Sequence, residues 1–423
     1  MSSTATDILP ISEILTPVTQ AALVDAVCDC YATDVAIYPI GGGTSLDFGL
    51  PPKQDGVGLA LSQLDRVVEF PVRDLTITVE AGITMQTLSD TLAQENLRLP
   101  IDVPEPSIGT LGGVVTTNFN GPRRFGQGTV RDYVIGISAV DGRGTPFKGG
   151  GRVVKNVAGY DLCKLLTGSL GTLGVITQVT LKLKPIPSAH RIVASSPPDL
   201  EAVECLLAAL VESDSTPTAI ELLAGPDWSQ DAFVGALSRE NSRPVLAISF
   251  EGTAQEVDWS VGQLKQELAG QEIAETSVIS GDEADHWLQM LAEFPRSGFP
   301  SSPDAPLVLK ANVVPSGTTR FVAQVQSVAP SAMIQAHAGN GTVIVRFAEL
   351  PGGGIARDLV GNLDAVAAGL QGNVIMIANP SRAEMTHQSV WGGIDAPFRL
   401  MEAIKREFDP KNLLNPGRFI YQF

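Results

Sequence analysis

Tyr38-Pro39-Ile40-Gly41-Gly42-Gly43-Thr44-Ser45 follows directly on an apolar run that begins at Val35 and reads as a buried strand. Three consecutive glycines let the backbone turn sharply and expose its N–H groups. Such a nest binds anionic phosphate oxygens, and Thr44 and Ser45 can add hydroxyl donors. One glycine-rich turn is a weak signal by itself. Two further clusters strengthen it: Thr110-Leu111-Gly112-Gly113, and Gly168-Ser169-Leu170-Gly171-Thr172-Leu173-Gly174. Three spaced clusters in one half of the chain point to a long ligand held along its length.

Two common phosphate loops are excluded by residue type. A Walker loop ends in Gly-Lys-Ser/Thr, and no lysine follows these glycines. A Rossmann fingerprint opens a helix, whereas Leu46-Asp47-Phe48-Gly49-Leu50-Pro51-Pro52 follows here, and paired prolines forbid one.

The segments "PIGGGTSLDFG" (39–49), "ITVEAGIT" (77–84), "PSIGTLGGVVTTN" (106–118) and "YDLCKLLTGSLGTLGVIT" (160–177) resemble FAD-binding oxidases of the vanillyl-alcohol oxidase type. "FDPKNLLNPGRF" (408–419) is similar to that family's C-terminal ending. Within the superfamily, "GPRRFGQGTVRDYVIG" (121–136) and the stretch 150–175 look most like the FAD-binding E subunits of bacterial glycolate oxidases. The resemblance implies an α+β fold: a two-lobed FAD-binding domain (1–187), an antiparallel-sheet cap with helices on one face (188–385), and a C-terminal segment (386–423) returning to the first domain. It also implies the FAD contacts. Ile40, Gly41, Gly42, Gly43, Thr44 and Ser45 would cradle the pyrophosphate. Pro104, Ile108, Gly109, Thr110, Gly113, Thr117 and Asn118 would form one wall. Gly171, Thr172, Val175 and Ile176 would enclose the adenine and ribose. Relatives often carry an acid where Leu170 stands, which removes one polar contact. The first loop has no His for a flavin linkage, so non-covalent FAD is expected.

The 423 residues suffice for two or three domains. A net charge of −17 argues against nucleic acid as a partner. No stretch of about 18 apolar residues suits a membrane span, and no basic-then-apolar leader is seen at the N-terminus. The four cysteines, Cys28, Cys30, Cys163 and Cys205, fit a reducing cytoplasm, and Cys28 and Cys30, on one helix pattern, are expected to be ordinary buried thiols. Their spacing matches no iron–sulfur ligand run.

Along the chain, Thr16-Pro17 reads as the start of a helix reaching about Ala32. Leu75, Ile77 and Val79 alternate with polar residues as a half-buried strand. Beyond Pro185-Ile186-Pro187, helices are expected at 200–212, 253–268, 318–329 and 355–370. Strands are expected at 244–251, 306–314, 343–350 and 374–378.

No residue is assigned as catalytic. His337 in "AHAGNGTVIVRF" and His387 in "AEMTHQSVWGG" lack the companions with which related D-2-hydroxyacid dehydrogenases bind metal, so no metal site is expected. His337 reads as a loop or core histidine. Arg123 and Arg124 could clamp a carboxylate bidentately or form structural ion pairs; Lys155 and Lys164 are similarly open. The resemblance implies oxidation of glycolate or another small 2-hydroxy acid, with a second FAD-binding subunit and an iron–sulfur subunit as partners. The alternatives are a self-sufficient FAD-dependent D-2-hydroxyacid dehydrogenase and a structural FAD subunit.

Overall fold

The computed structural model describes all residues except 1–4, 152–158, 227, 229–230, 238–242, 270–275, 297–306, 351–353, 394–397 and 421–423. The chain forms two compact units. The first comprises Met1–Asn120, Gly128–Ile186 and Asp395–Phe423; the second comprises Gly121–Gln127 and Pro187–Ile394. The chain thus changes units at 186/187 and at 394/395. The seven residues 121–127, read from the sequence as part of the FAD domain, belong to the second unit.

The first unit holds two main sheets. Ile11–Leu15, Gly56–Ala60 and Ala36–Ile40 form a parallel sheet with Gly56–Ala60 in the centre. Its helix, Gln20–Thr33, is capped by Thr19, whose hydroxyl accepts from Ala22 N–H at 3.1 Å. The helix therefore starts three residues later than Thr16-Pro17 indicated. Leu23, Val27 and Cys30 face inward, but Cys28 is exposed, contrary to the expectation that both thiols of this helix are buried.

The other sheet is antiparallel, in the order Val67–Glu69, Thr76–Glu80, Val175–Lys182, Val134–Val140, Pro146–Gly150. Ile77 and Val79 are fully buried in it. Leu75 is not part of the strand: it ends a short 3-10 turn at φ 52° and is 40% exposed. Glu80, also buried, is held by Arg66 at 2.8 Å.

The C-terminal ending is tied down by one buried ion pair. Lys405 Nζ donates to Asp409 Oδ2 at 2.6 Å, Thr172 O at 2.8 Å and Leu414 O at 3.1 Å. Asp409 also accepts from the N–H groups of Leu413 and Leu414. That fixes the turn from which Leu413 and Asn415 bond to Ile37. Burial pushes the Lys405 ammonium below its ordinary value, with Asp409 opposing the shift.

The second unit is built on one antiparallel eight-stranded sheet. Its order is Thr276–Ser280, Ala189–Ser195, Val245–Gly252, Ala219–Ala224, Met333–His337, Thr342–Phe347, Leu307–Asn312, Asn373–Ala378. Helices Leu200–Glu212, Ala254–Ala269 and Thr318–Val328 lie close to the sequence expectation. The expected helix at 355–370 begins as a π-helical turn, Ile355–Val360, and continues as Gly361–Gly369.

Residues directly opposite in neighbouring strands share a face. The register puts Leu222, Ala336, Val343 and Ala311 on one face, all buried and apolar. The other face carries a polar row: His190, Ser249, Glu251, Glu221, His337, Thr342 and Lys310. Segment 121–127 joins this row through Arg123 to Glu251 and Arg124 to Thr342.

Removing Lys405 would leave the Asp409 carboxylate buried without its counter-charge. Lys405→Ala is expected to cost about 3–5 kcal/mol, read as a lower midpoint in denaturant unfolding. A change below about 1 kcal/mol would show that Asp409 does not depend on this partner.

Candidate functional site

The glycine loop leaves the parallel sheet at Ile40 and packs against a second segment without room for side chains. A Cβ on Gly41 would lie 2.2 Å from Thr110 Oγ1, and one on Gly42 would lie 1.8 Å from the Ile108 carbonyl oxygen. Gly43 has φ +79°, a conformation glycine adopts without strain. The loop and the turn 105–110 therefore touch backbone to backbone. That turn is closed by the Ile108 and Gly109 N–H groups, both donating to Glu105 O.

Thr110 caps the helix Leu111–Thr117, its hydroxyl accepting from Gly113 N–H at 3.4 Å. Thr116 and Thr117 donate their hydroxyls back to the carbonyls of Gly112 and Gly113. Their oxygens thus reach the groove with lone pairs, not with free protons. Asn118 ends the helix at φ 52°.

These pieces line one groove. Gly41, Gly42, Gly43, Thr44 and Ser45 line it together with Thr110, Gly113 and Thr117 and with Gly171, Val175 and Ile176. Six of the anticipated residues do not line it. Ile40 is buried in a small apolar cluster, and Thr172 is buried with its hydroxyl on Ser169 O. Ile108 and Gly109 close the turn on Glu105 O, with the Ile108 side chain exposed; Asn118 ends the helix, and Pro104 is buried.

The groove also has residues that the sequence reading did not name. Asn415 donates from Nδ2 to Leu170 O at 2.6 Å, while its buried Oδ1 has no partner among the described residues. Arg418 donates to the carbonyls of Leu46 and Phe48 and so braces the loop after the glycines. Both lie in "NPGRF", where the only sequence signal was the likeness of the C-terminal ending. Leu170 itself lines the groove at φ 50°.

A second concentration of polar groups lies in the other unit. Glu221 Oε1 accepts from His337 Nδ1 at 2.7 Å and Oε2 accepts from Gln335 Nε2 at 2.8 Å, all three residues being buried. His337 is thus a core histidine at a strand end, and its Nε2 has no partner among the described residues. Nearby, Arg123 pairs with Glu251 at 2.7 Å and Asp285 at 3.2 Å. His190 bonds Asp285 at 2.8 Å and Ser249 at 2.9 Å. His190, Glu251 and Asp285 bring ligand atoms within 4.8 Å of one another. There the guanidinium of Arg123 already supplies the positive charge that a cation would bring. Asp132, the other acid considered for Arg123, accepts from the Thr129 N–H and hydroxyl. Lys164 pairs with Asp161. Lys155 lies outside the described residues.

Comparison with known proteins bears on the groove. The family model "FAD binding domain" matches residues 11–150, and "FAD linked oxidases, C-terminal domain" matches 395–419. The chain is an FAD-dependent oxidoreductase. This flavoenzyme is 26% identical to the glycolate oxidase subunit GlcD of Bacillus subtilis, covering 92% of this chain and 84% of the relative. It is 28% identical to a D-lactate dehydrogenase of Archaeoglobus fulgidus, covering 91% and 86%. It is 40% identical to the glycolate oxidase subunit GlcE of Escherichia coli over 124 residues, which are 29% of this chain and 35% of that one. Among solved structures, p-cresol methylhydroxylase superposes with TM-score 0.73 at 16% identity, covering 97% of this chain and 90% of that one. Alkyldihydroxyacetonephosphate synthase superposes with TM-score 0.70 at 17% identity, covering 96% and 77%. The flavoenzyme therefore has the vanillyl-alcohol oxidase type of fold.

Gly42→Val would drive a branched side chain into the Ile108 carbonyl and part the two backbone segments. Flavin occupancy, measured as the ratio of flavin to protein absorbance, is expected to fall to about a tenth or less. Full occupancy in that variant would mean that the glycine loop is not part of the cofactor site.

Proposed function

We propose that this chain is the FAD-binding subunit of a glycolate-oxidase-like complex that oxidises glycolate, or another small 2-hydroxy acid, to the 2-oxo acid. The observation that carries the reading is the 40% identity to GlcE across 124 residues, set beside 26% identity to GlcD over nearly the whole chain. Both names belong to glycolate oxidase subunits. The other subunits we infer are a second FAD-binding chain and an iron–sulfur protein. Cys28, Cys30, Cys163 and Cys205 do not form a cluster-binding run, so electrons must leave this chain through another carrier. We place the complex in the cytoplasm; no helix among the described residues is long and apolar enough to cross a membrane.

The groove in the first unit suits non-covalent FAD. The cradle formed by Gly41, Gly42 and Gly43 has no space for a Cβ at its first two positions, so a ligand there meets backbone amides. The orphaned Asn415 Oδ1 is an acceptor for a ligand hydroxyl or amide. We assign Thr44, Ser45, Thr110, Gly113, Thr117, Gly171, Val175 and Ile176 to the same ligand, with Ile40, Pro104, Ile108, Gly109, Asn118 and Thr172 supporting them. Bound FAD supplies the acceptor for the two electrons that leave the substrate's α-carbon. The second unit we read as the substrate-type domain.

A self-sufficient D-2-hydroxyacid dehydrogenase is the second reading. It is favoured by D-lactate dehydrogenases that match 91% and 97% of this chain.

These readings are open to direct measurement. Acid precipitation is expected to release yellow flavin into the supernatant, and flavin kept in the washed pellet would refute non-covalent binding. Purified from its native host, the chain is expected to travel with a second flavoprotein and a protein containing iron and acid-labile sulfide, and glycolate turnover should fall when they are removed. Full-rate oxidation of glycolate or D-lactate by the isolated chain would decide for the self-sufficient enzyme. A flavin that neither acid can bleach, alone or in the complex, would leave only a structural role for it.

A further inference from the structure

The three-stranded parallel sheet of the first unit is closed on one side and open on the other. At Ala36–Ile40 the C-terminal ending covers the edge: Ile37 N–H donates to Leu413 O, and Asn415 N–H donates to Ile37 O. At the opposite edge, Ile11–Leu15 pairs only with Gly56–Ala60 among the described residues. An edge strand carries a row of N–H and C=O groups that a further strand can take up. Proteins blunt such edges with lysine, or with proline inside the strand. The strand Ile-Ser-Glu-Ile-Leu has neither. Its one charge is Glu13, which repels a second acidic chain and admits a basic one.

A groove of about 580 Å3 runs beside this strand, lined by it, by the helix Gln20–Thr33 and by Val35 and Val57. Successive strand residues point to opposite faces, so Glu13 and Leu15 share the face that lines the groove. From the helix come Ala22 and Ala26, one turn apart, and Asp25 and Asp29 at the same spacing. The alanines leave room for another chain to come close. The aspartates stand where like charges weaken a helix. Cys30 lines the groove as well and is 7% exposed. Burial first, and then the charges of Asp29 and Glu13, push its thiol up. Strand and helix thus bring their carboxylates to one place.

The field here is one-sided. The first 52 residues contain six acids, Asp7, Glu13, Asp25, Asp29, Asp34 and Asp47, and no lysine, arginine or histidine. A later segment neutralises part of this: Lys411 pairs with Asp34 at 2.6 Å and stands over the Tyr31 ring. The carboxylates of Glu13, Asp25 and Asp29 make no ion pair or hydrogen bond among the described residues. Water satisfies a lone exposed carboxylate. Three of them around an apolar lining, next to an open strand edge, define a complement: an extended backbone, an apolar side chain and positive charge. Nucleic acid and acidic lipid are repelled. So is the same face of a second copy, which would bring the same three carboxylates.

We propose that Ile11–Leu15 and the acidic groove beside it dock an extended, lysine- or arginine-bearing segment of a partner protein. The segment adds a strand at this edge, sets its basic side chains on Glu13, Asp25 and Asp29, and seats an apolar side chain against Ala22 and Ala26. The docking site is independent of which acid this flavoenzyme oxidises.

The test is fluorescence anisotropy of the FAD-loaded chain with a labelled peptide of alternating lysine and valine, six residues long. The wild type is expected to bind it, and to bind more weakly as salt rises. Glu13→Gln, Asp25→Asn and Asp29→Asn combined should weaken binding by at least about tenfold, with flavin occupancy unchanged. Ala26→Leu keeps every charge but fills the apolar seat, and should also weaken it. The same peptide with N-methyl groups on alternate residues keeps its charge and loses the N–H groups of one edge. It should bind at least about tenfold more weakly. Asp25→Lys with Asp29→Lys should lose the lysine peptide and gain its glutamate counterpart.

No binding of the alternating peptide by the wild type up to about 1 mM would overturn the proposal, as would equal affinity in the three-carboxylate variant. Equal affinity for the plain and N-methylated peptides, together with no effect of Ala26→Leu, would reduce the contact to diffuse charge attraction and also overturn it. Spermine binding through the same carboxylates as tightly as the peptide would make this a site for small polycations instead of a docking edge.

Discussion

The contact between Gly42 and the Ile108 carbonyl oxygen is the constraint around which the first unit is arranged. A Cβ there would sit 1.8 Å from that oxygen, so the two backbones can meet only at a glycine. Their meeting brings the loop after the parallel sheet against the turn that leads into Leu111–Thr117, and the groove lies along the junction. The other side is held from the far end of the chain. Asn415 bonds both Ile37 and Leu170, and Lys405 bonds Thr172 while neutralising Asp409. Segments separated by more than 200 residues are thus fixed around one cavity by buried polar contacts. Removing any one partner strands the others without water.

The second unit obeys a different rule. Its sheet is apolar on one face and polar on the other, and the polar face is buried as well. Burial of that kind is tolerated when donors and acceptors match. Around Arg123 they do match: it pairs with Glu251 and Asp285, and His190 bridges Asp285 to Ser249. Around Arg124 they do not: its Nε is buried without a partner among the described residues. Adjacent residues of one short segment therefore have opposite characters, one spent on structure and the next left with capacity.

Much of the framework was legible in the sequence. The helix Leu200–Glu212 and the strands Val245–Gly252 and Asn373–Ala378 follow from periodicity and from their bounding turns. The glycine clusters identified most of the groove, because a backbone that approaches another backbone leaves a local signature. Four strands of the eight-stranded sheet were not legible: Thr276–Ser280 and three others, Ala189–Ser195, Ala219–Ala224 and Met333–His337. The last two are buried at every position and show no alternation. The three others each carry a polar residue, His190, Glu221 or His337, where a core strand is expected to be apolar. Those residues find their partners 95 and 116 positions away, a relation invisible in linear sequence. The same distance hid Asn415 and Arg418 from the groove, and it made His337 look solitary when Glu221 was its neighbour.

The short excursion at 121–127 has a consequence for how this protein can be divided. The second unit is not one stretch of polypeptide: seven of its residues are encoded between two parts of the first. A gene fragment spanning only 187–394 would lack Arg123, leaving Glu251, 1% exposed at its side chain, with no counter-charge. It would also lack the backbone bond from Gly126 to Thr218 and the Phe125 ring that packs on Gly339. The unit therefore cannot be inherited, exchanged or duplicated as a cassette. Recombination that respects its structure must carry both pieces, which ties the history of the sheet to that of the chain on either side of Gly121.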